Sequence, residues 1–372
     1  MNKEYTSLGF MSGTSGDGVD ASIIKSDGYT TLKVIKEKYF EYDLETYNQI
    51  HRLKNQINSR KDLIKYKKEI ESLERNITLF HSKIFQEISK KNYLDLIGFH
   101  GQTIYHNPSE KISKQIGNGE LLSQLTKKKV IYNFRNNDLK NNGQGAPLTP
   151  IFHYLIVKKF KVENPVCILN IGGISNITLI LNDDVNQIVS SDVGPGNCMI
   201  DEWIRKNGKN RFDEHGLIAS SGNINEIILE SVQELYFNKL KIGKSLDTKD
   251  YDISFARGLS FEDGAATITE LTARILSEYL FNFLKDIKFN KINIFLCGGG
   301  RKNLELLKKI KNKSLKDTEF KKIDDLGING DFIESQAFAF LAIRSFLGLN
   351  ISYPKTTGCS KACTGGELIV IK

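Results

Sequence analysis

Residues 6–26 read TSLGFMSGTSGDGVDASIIKS, and this stretch decides the fold at the start of the chain. Apolar, β-prone residues flank a centre of glycine, serine and aspartate, which predicts a strand, a tight turn and a second strand. Residues 166–180, VCILNIGGISNITLI, repeat this pattern around Gly172 and Gly173. The repetition is one of pattern and not of residue identity, so it suggests an internal duplication without proving one.

A third glycine turn lies in residues 291–303, KINIFLCGGGRKN, where an apolar strand runs directly into three glycines. The segment before it, residues 263–287, is predicted to be a long helix. Helix, buried strand and glycine turn in this order are typical of α/β proteins. Nearer the start, apolar residues recur every three or four positions and predict an amphipathic helix; they are Ile70, Leu73, Ile77, Phe80 and Ile84.

Length and composition indicate an ordered protein with more than one domain. The chain has 372 residues, of which 40% are hydrophobic and 26% charged; at about 150 residues per domain this favours two domains. The composition excludes disorder over most of the length. The net charge is +8, but the lysines are scattered and no nucleic-acid-binding motif is present, so no nucleic-acid partner is predicted.

The five cysteines include no CxxC pair, and no histidine stands at metal-ligand spacing from them. This pattern indicates neither a disulfide scaffold nor a zinc site, and it fits a reducing compartment. No apolar stretch reaches the roughly 18 residues that a membrane helix needs. We therefore expect a cytoplasmic protein without a membrane segment.

Each glycine turn follows an apolar strand, which is where backbone N–H groups can surround phosphate oxygens. One such turn alone is more often structural, but three together favour a nucleotide site. The patterns GxxxxGK[ST] and GxGxxG are both absent, so P-loop and Rossmann sites are excluded. What remains is a nucleotide held by two hairpins, with its adenosine near the third turn.

Three carboxylates are candidates for the chemistry. Asp17 and Asp20 lie near the hydroxyls of Thr14 and Ser15, and their carboxylates suit Mg²⁺. Alternatively, Asp17 is a structural turn residue and Asp20 is a paired strand residue. Asp192 follows an apolar strand and precedes Gly194, so we expect its carboxylate to be exposed at a turn. That placement suits a general base, but a helix N-cap role for Asp192 or Asn197 is equally open.

A second set of polar residues suits a polyhydroxylated, carboxylated substrate. His100 lies at a predicted strand end, where it is a base, a ligand donor or a turn residue. Arg135, Asp138 and Gln144 form a set of donors and acceptors, and arginine binds a carboxylate through two parallel hydrogen bonds. Glu334 begins the last predicted helix, where it complements the helix dipole or contacts a ligand.

Eight motifs, in this order, resemble those of the anhydro-N-acetylmuramic acid kinases, and the resemblance extends from Gly9 to Gly366. They are MSGTSGDGVDA (11–21), HGQTIYH (100–106), FRNNDLKNNGQGAPLTPIFH (134–153), NIGGISNIT (170–178), DVGPGNCMIDEW (192–203), TELTA (269–273), CGGGRKN (297–303) and GDFIESQAFAFLA (330–342). Eight ordered motifs are far more specific than one glycine loop.

The resemblance implies an α/β protein with two ribonuclease H-like domains of the actin and hexokinase type and an interdomain ATP cleft. We expect an N-terminal domain from residues 1–127 with 340–372, and a second from residues 128–339. The implied reaction uses ATP, Mg²⁺ and water to convert 1,6-anhydro-N-acetylmuramic acid to N-acetylmuramic acid 6-phosphate, as in peptidoglycan recycling. A homodimer is also plausible. The alternatives are a kinase for another sugar, or a nucleotide-responsive binding protein without sugar chemistry.

Residue roles follow from the same resemblance. Asp192 is expected to activate water, and Arg135 to bind the lactyl carboxylate of the sugar. Further sugar contacts are expected from His100, Gln102, Gln144 and Glu334. Contacts with ATP are expected from Gly13, Thr14, Ser15, Gly16, Asp17, Gly18, Val19, Asp20, Gly172, Gly173, Asn176, Gly298, Gly299 and Gly300.

Overall fold

The computed structural model describes residues 2–90, 92–237 and 245–370. Its strands are β1 (Tyr5–Ser12), β2 (Gly18–Ser26), β3 (Lys33–Glu41), β4 (Leu96–Asn107), β5 (Ile112–Ile116), β6 (Lys129–Tyr132), β7 (Val166–Ile171), β8 (Ile174–Ile180), β9 (Val189–Pro195), β10 (Ile292–Cys297), β11 (Thr318–Lys322) and β12 (Glu367–Ile369).

The α-helices are α1 (Leu44–Gln56), α2 (Arg60–Lys65), α3 (Lys67–Ile88), α4 (Gly119–Thr126), α5 (Asn136–Lys140), α6 (Pro150–Lys159), α7 (Cys198–Asn207), α8 (Leu217–Ser221), α9 (Glu226–Phe237), α10 (Phe261–Leu284), α11 (Leu304–Lys313), α12 (Ile333–Phe346) and α13 (Pro354–Thr357). In the part of the chain that the structure describes, none of these helices combines the length and the apolar character needed to cross a membrane.

The first compact unit contains Met1–Val162, Asp183–Ile188 and Phe332–Lys372. Its sheet has the strand order β12-β6-β4-β1-β2-β3, with β5 paired to β4. The hairpin strands β1, β2 and β3 are antiparallel, whereas β4 is parallel to β1 and β6 is parallel to β4. Parallel neighbours need long crossovers, and α1 to α3 supply the one between β3 and β4.

The second compact unit contains Glu163–Asn182 and Val189–Asp331. Its sheet has the strand order β11-β10-β7-β8-β9. Here β7, β8 and β9 are antiparallel, β10 is parallel to β7 and β11 is parallel to β10. The five-strand pattern is the same as that of β3-β2-β1-β4-β6, so the repetition seen in the sequence corresponds to two sheets of one topology.

The predicted fold class is confirmed: the chain is an α/β protein with two sheets of the ribonuclease H-like strand order. The predicted cleft between the domains stays a prediction. The predicted boundaries change, because residues 128–162 belong to the first unit, where β6 pairs with β4. Residues 332–339 also belong to the first unit, because they lie in α12, which packs on β1 and β4.

The helix predicted from the apolar spacing is α3, and Ile70, Leu73, Ile77 and Ile84 on it are buried as expected. This face joins the core of the first unit, whose centre includes Leu8, Phe10, Ile23, Ile97 and Phe99. The core of the second unit is built around α10 and includes Leu169, Ile177, Leu271, Ile294 and Leu296. Burial of these apolar side chains is the main favourable contribution to the stability of each unit.

The buried carboxylate of Glu270 joins α10 to α11 through a group of charged side chains. Its carboxylate accepts hydrogen bonds from Arg274 Nε at 2.8 Å and from Lys313 Nζ at 2.9 Å, and Lys309 Nζ lies 3.3 Å away. Burial by itself would raise the pKa of Glu270. The hydrogen bonds from Arg274 and Lys313 and the charge of Lys309 outweigh burial and lower this pKa to about 2.

We expect Glu270→Gln to lower the free energy of unfolding by about 2 kcal/mol near pH 7, because it removes hydrogen bonds between charged groups. The folded pKa lies below the usual value of 4.5, so the stabilisation is complete above that pH and is lost as the pH falls toward 2. Urea unfolding of wild type and variant across this range measures the difference, which should shrink in acid. Glu278→Gln, at an exposed position on α10, is the control; a Glu270→Gln difference that does not depend on pH would refute the assignment.

Candidate functional site

The turn between β1 and β2 forms the polar tip that the sequence predicts. Gly16 has φ of +63°, and its N–H donates to the carbonyl of Gly13 at 3.1 Å, which closes the turn. Thr14 and Ser15 are exposed, and Ser15 Oγ donates to Asp17 Oδ1 at 2.6 Å. Gly18, Val19 and Asp20 already belong to β2, and Val19 is fully buried. Only the residues of the turn itself therefore present hydroxyl and carboxylate groups at the tip.

Gln102 supports this turn from β4. It is fully buried, its Nε2 donates to the carbonyl of Gly13 at 3.0 Å, and its Oε1 accepts from Ser12 Oγ at 2.5 Å. The predicted sugar contact of Gln102 stays a prediction. Both ends of its amide form hydrogen bonds with the strand and the turn, so Gln102 positions the turn.

Two side chains of α1 also hold the turn. His51 Nε2 is 2.8 Å from the carbonyl oxygen of Ser15, and Lys54 Nζ donates to the carbonyl of Thr14 at 2.7 Å. Neither His51 nor Lys54 is among the predicted site residues. No local pattern indicated either residue, because about 40 residues separate α1 from the turn. The ammonium group of Lys54 adds positive charge at the tip, which favours anions.

Arg135 and His100 form the centre of a second group in the first unit. Arg135 donates to His100 Nε2 from Nη2 at 2.9 Å and from Nε at 3.2 Å, and its Nη1 donates to the carbonyl of Gly145 at 2.7 Å. His100 Nδ1 lies 2.8 Å from the carbonyl of Gly101. Burial, and then the Arg135 charge, hold the pKa of His100 well below its usual range. His100 is therefore neutral, donates from Nδ1, and orients the guanidinium through Nε2.

Glu334 lies in the first turn of α12, as predicted, and within electrostatic reach of Arg135. Burial raises the pKa of Glu334, and the charge of Arg135 opposes that rise. The structure therefore brings His100, Arg135 and Glu334 into one group, which combines a fixed cation with a carboxyl group.

The loop from Asp138 to Gly145 holds Gln144 in a half-buried position, where its N–H donates to the carbonyl of Thr357 at 2.7 Å. The predicted substrate role for Asp138 is wrong. Asp138 is buried, and its carboxylate accepts from Thr357 Oγ1 and from the Gly145 N–H, each at 2.6 Å. One oxygen therefore binds α13 and the other binds the loop, so Asp138 links the loop to Thr357.

In the second unit, three polar side chains form a row across neighbouring strands. Asn170 on β7 is opposite Asn176 on β8, which is opposite Asp192 on β9. Directly opposed residues in antiparallel strands point to the same face of the sheet. Asn176 Oδ1 is buried and has no hydrogen-bond partner among the described residues. A buried oxygen of this kind marks a place for a ligand group or water.

Asp192 is buried, with 7% of its surface exposed, and lies within β9. The expectation of an exposed carboxylate at a turn is therefore wrong, because β9 continues to Pro195 and the carboxylate is covered. Its Oδ2 accepts a hydrogen bond from the Leu246 N–H at 2.8 Å. The helix N-cap alternative is excluded for Asp192, because α7 begins at Cys198 and Asn197 occupies the N-cap position.

The second glycine turn joins β7 to β8. The carbonyl of Gly173 accepts from the N–H groups of Gly196 and Cys198, and the carbonyl of Gly172 accepts from Asn197. A Cβ on Gly196 would lie 2.1 Å from the Gly172 oxygen, so glycine is required for this approach. The turn is thereby fixed against the start of α7, with its carbonyls bound by that segment.

The third glycine turn, Gly298 to Gly300, lies against the same polar row. Gly298 has φ of +77°, and a Cβ there would lie 2.3 Å from Asn170 Oδ1. The buried Arg301 holds the turn: it donates to the Gly298 carbonyl at 3.1 Å and to both carboxylate oxygens of Asp324 at 2.8 and 2.9 Å. The bonds from Arg301 lower the pKa of Asp324 to about 2.

Sequence reasoning missed Asn170 and Arg301. Both had a local signal: Asn170 is a polar residue in the buried strand VCILNI, and Arg301 directly follows three glycines. Their partners could not be read from that signal, because Asp324 is 23 residues away from Arg301.

Comparisons with known proteins agree over nearly the whole chain. The family model described as anhydro-N-acetylmuramic acid kinase matches residues 5–370. An anhydro-N-acetylmuramic acid kinase from Pelagibacter ubique is 51% identical over 372 residues, covering 99% of both chains. One from Zymomonas mobilis is 36% identical and covers 97% of this chain and 98% of its own. A solved ROK family glucokinase from Streptomyces griseus, in complex with glucose and AMPPNP, aligns over 91% of this chain and 99% of its own at 10% identity, with a TM-score of 0.43.

Proposed function

The chain belongs to the anhydro-N-acetylmuramic acid kinase family, and on that premise we propose that it uses ATP and water to convert 1,6-anhydro-N-acetylmuramic acid to N-acetylmuramic acid 6-phosphate and ADP. The observation that carries this proposal is the family match over residues 5–370. Asp192, with Asn176 opposite it on the neighbouring strand, supports it.

The proposed base is Asp192. Its carboxylate takes a proton from water as the water oxygen bonds to C1 of the sugar. The C1–O6 bond breaks, O6 attacks the γ-phosphorus of ATP, and ADP leaves. The Leu246 N–H, bound to Asp192 Oδ2, stabilises the charged carboxylate and fixes its orientation. A base held in this way contributes by position as well as by proton transfer.

Binding of ATP is assigned to the three glycine turns. In the first unit, the turn at residues 13–17 offers backbone groups and the hydroxyls of Thr14 and Ser15 to phosphate. In the second unit, Gly298 to Gly300 would contact adenosine, with Arg301 holding their backbone. Gly172, Gly173 and Asn176 complete the proposed set, and the unpartnered Oδ1 of Asn176 is consistent with a polar ligand nearby.

Carboxylate oxygens are the ligands that Mg²⁺ prefers, and Asp17 lies beside the Ser15 hydroxyl at the tip. The donor types therefore fit the metal. The other predicted ligand, Asp20, lies within β2 and not at the tip, so Asp17 is the proposed ligand, directly or through water. The bound ion would supply positive charge that offsets the charge of the phosphates.

The sugar is assigned to the group around Arg135. The guanidinium, oriented by His100 and Gly145, would bind the lactyl carboxylate, because arginine binds carboxylates strongly and with defined geometry. Gln144 and Glu334 are proposed to bind hydroxyl or amide groups of the sugar.

The decisive experiment incubates the protein with ATP, Mg²⁺, 1,6-anhydro-N-acetylmuramic acid and ¹⁸O-labelled water, with early quenching to limit exchange at C1. We expect ADP and a sugar product that has gained one water and one phosphoryl group, with ¹⁸O at C1. A parallel reaction uses 1,6-anhydro-N-acetylglucosamine, which lacks the lactyl carboxylate. Arg135→Leu should lower kcat/KM about 10- to 100-fold for the first sugar only, as expected for a charged hydrogen bond.

No ADP above the ATP-only background would reject the proposed reaction. Faster turnover of another sugar in a wider panel would identify a different sugar kinase. An equal loss for both anhydro sugars in Arg135→Leu would reject the carboxylate assignment while leaving the reaction intact.

A further inference from the structure

One group of metal-ligating side chains lies outside the proposed kinase site. The carboxylate of Asp138 and the thiols of Cys359 and Cys363 lie in the first unit, and one ligand atom from each lies within 4.8 Å of the other two. All three residues are buried, with 1%, 2% and 7% of their surfaces exposed. No local pattern could bring these three residues together, because Asp138 is more than 200 residues from the two cysteines.

The chain between Ile351 and Cys363 folds into a closed loop that presents both thiols on one side. The Ile351 and Ser352 N–H groups donate to the carbonyl of Cys363 at 2.9 and 3.2 Å, which closes the loop. Gly358, with φ of +74°, ends α13 and turns the chain immediately before Cys359. The positions of both thiols are therefore set by backbone contacts.

Asp138 is oriented toward this group by the two hydrogen bonds already described, from Thr357 Oγ1 and the Gly145 N–H. Each carboxylate oxygen has two lone-pair sites, so one accepted hydrogen bond leaves capacity for a metal bond. Hydrogen bonds of this type commonly fix the ligands of metal sites and tune their basicity. The group thus has three candidate ligands, and hydrogen bonds from neighbouring residues hold one of them, Asp138, in place.

We propose that Asp138, Cys359 and Cys363 bind one thiophilic divalent cation, with Zn²⁺ as the best match. Zinc takes tetrahedral sets of sulfur and oxygen ligands, and Zn–S bonds of about 2.3 Å place two sulfurs about 3.8 Å apart. The ligand atoms of the three residues all lie within 4.8 Å of one another, so small shifts would bring them to one ion. Sulfur ligands exclude Mg²⁺ and Ca²⁺. Each thiol loses its proton to solvent as its bond to the metal forms, so one ion releases two protons. Water or the Ser352 hydroxyl, which lies 3.2 Å from Cys363 Sγ, would complete the coordination.

The metal would tie two loops together. Asp138 holds Gly145, and the carbonyl of Gly145 holds Arg135. An ion bonded to Asp138 and to both cysteines would fix the C-terminal loop to the loop that positions Arg135. The ion would therefore stabilise the folded state by mass action and would release that stabilisation in acid, where thiols and carboxylates are protonated.

The test titrates the metal-free, full-length protein with Cd²⁺, which is a spectroscopic probe for zinc–thiolate sites. We expect thiolate-to-metal charge-transfer absorption that saturates at one ion per chain. Two protons should be released for each ion bound. Added Zn²⁺ should abolish the absorption by competing for the site. Zn²⁺ should also raise the Tm of the wild type. Absence of saturable charge-transfer absorption in the wild type would overturn the proposal.

Matched serine variants locate the site. Cys359→Ser and Cys363→Ser should each weaken binding at least 100-fold, whereas Cys198→Ser, at a half-buried cysteine on α7, should bind as the wild type does. Binding that persists in both of the first two variants would overturn the assignment. Circular dichroism verifies that each variant folds. If a variant does not fold, alkylation of the wild type replaces it as the test. Zn²⁺ must then protect Cys359 and Cys363 from alkylation, and alkylation of these thiols in the presence of Zn²⁺ would reject the site.

Discussion

Asp192→Asn should lower kcat about 10²- to 10⁴-fold, the range expected when a general base is removed. The amide cannot take a proton from water, yet its oxygen can still accept the hydrogen bond from the Leu246 N–H. Because the change is isosteric, the fold and the KM for ATP and sugar should stay within a few-fold of the wild type. Steady-state ADP formation measures both constants, and incorporation of ¹⁸O at C1 follows the attack of water directly.

Asp286→Asn is the matched control, because Asp286 is exposed and belongs to the same unit. It should leave kcat unchanged. An Asp192→Asn protein that keeps more than about one tenth of wild-type kcat would contradict the assignment of the base. A large rise in KM with an unchanged kcat would instead assign Asp192 to substrate binding.

Gly9→Ala should be the most destabilising single methyl addition that we consider. Gly9 on β1 pairs with Gly98 on β4, and α12 packs over both. A Cβ on Gly9 would lie 2.0 Å from the Ser335 carbonyl oxygen and 2.4 Å from the Ala339 nitrogen. Backbone atoms of a helix cannot move aside singly, so α12 would have to shift as a unit. We expect a loss of about 3 kcal/mol or more in the free energy of unfolding, at the upper end of the range for overpacked cores.

Urea unfolding of the wild type and Gly9→Ala measures this loss. Ser7→Ala is the control on the same strand, because the buried Ser7 hydroxyl has no hydrogen-bond partner among the described residues. Its removal should change the free energy of unfolding by less than about 1 kcal/mol. Equal urea midpoints for Gly9→Ala and wild type would show that the backbone of α12 is not in close contact with Gly9 on β1.

Much of the fold could be predicted because its signals are local. The hairpin at residues 6–26 needs only two β-prone runs and glycines that permit the turn, and the structure has β1 and β2 there. The apolar spacing that predicts α3 likewise lies within one helix. The domain boundaries could not be obtained in this way, because residues 128–162 belong to the first unit through the pairing of β6 with β4.

The same distinction between local and long-range signals applies to the candidate site. The sequence singled out Asp192, Arg135 and the glycine turns as candidates, because unusual residue types mark those positions, and their roles stay predictions. It misplaced Asp192 at an exposed turn, because burial depends on segments that pack from elsewhere in the chain. Leu246, which contacts Asp192, lies 54 residues away.

The sequence by itself therefore determined the local backbone: which segments are strands or helices, and where glycine allows a turn. Steric preference and hydrophobic periodicity act over a few residues, so a short window contains them. The tertiary structure alone decided which polar groups meet, as with Gln102 and Ser12, 90 residues apart, and Thr357 and Asp138, 219 residues apart. Those contacts arise because cooperative packing of the sheet and helices of the first unit brings distant segments together, and no local preference specifies them.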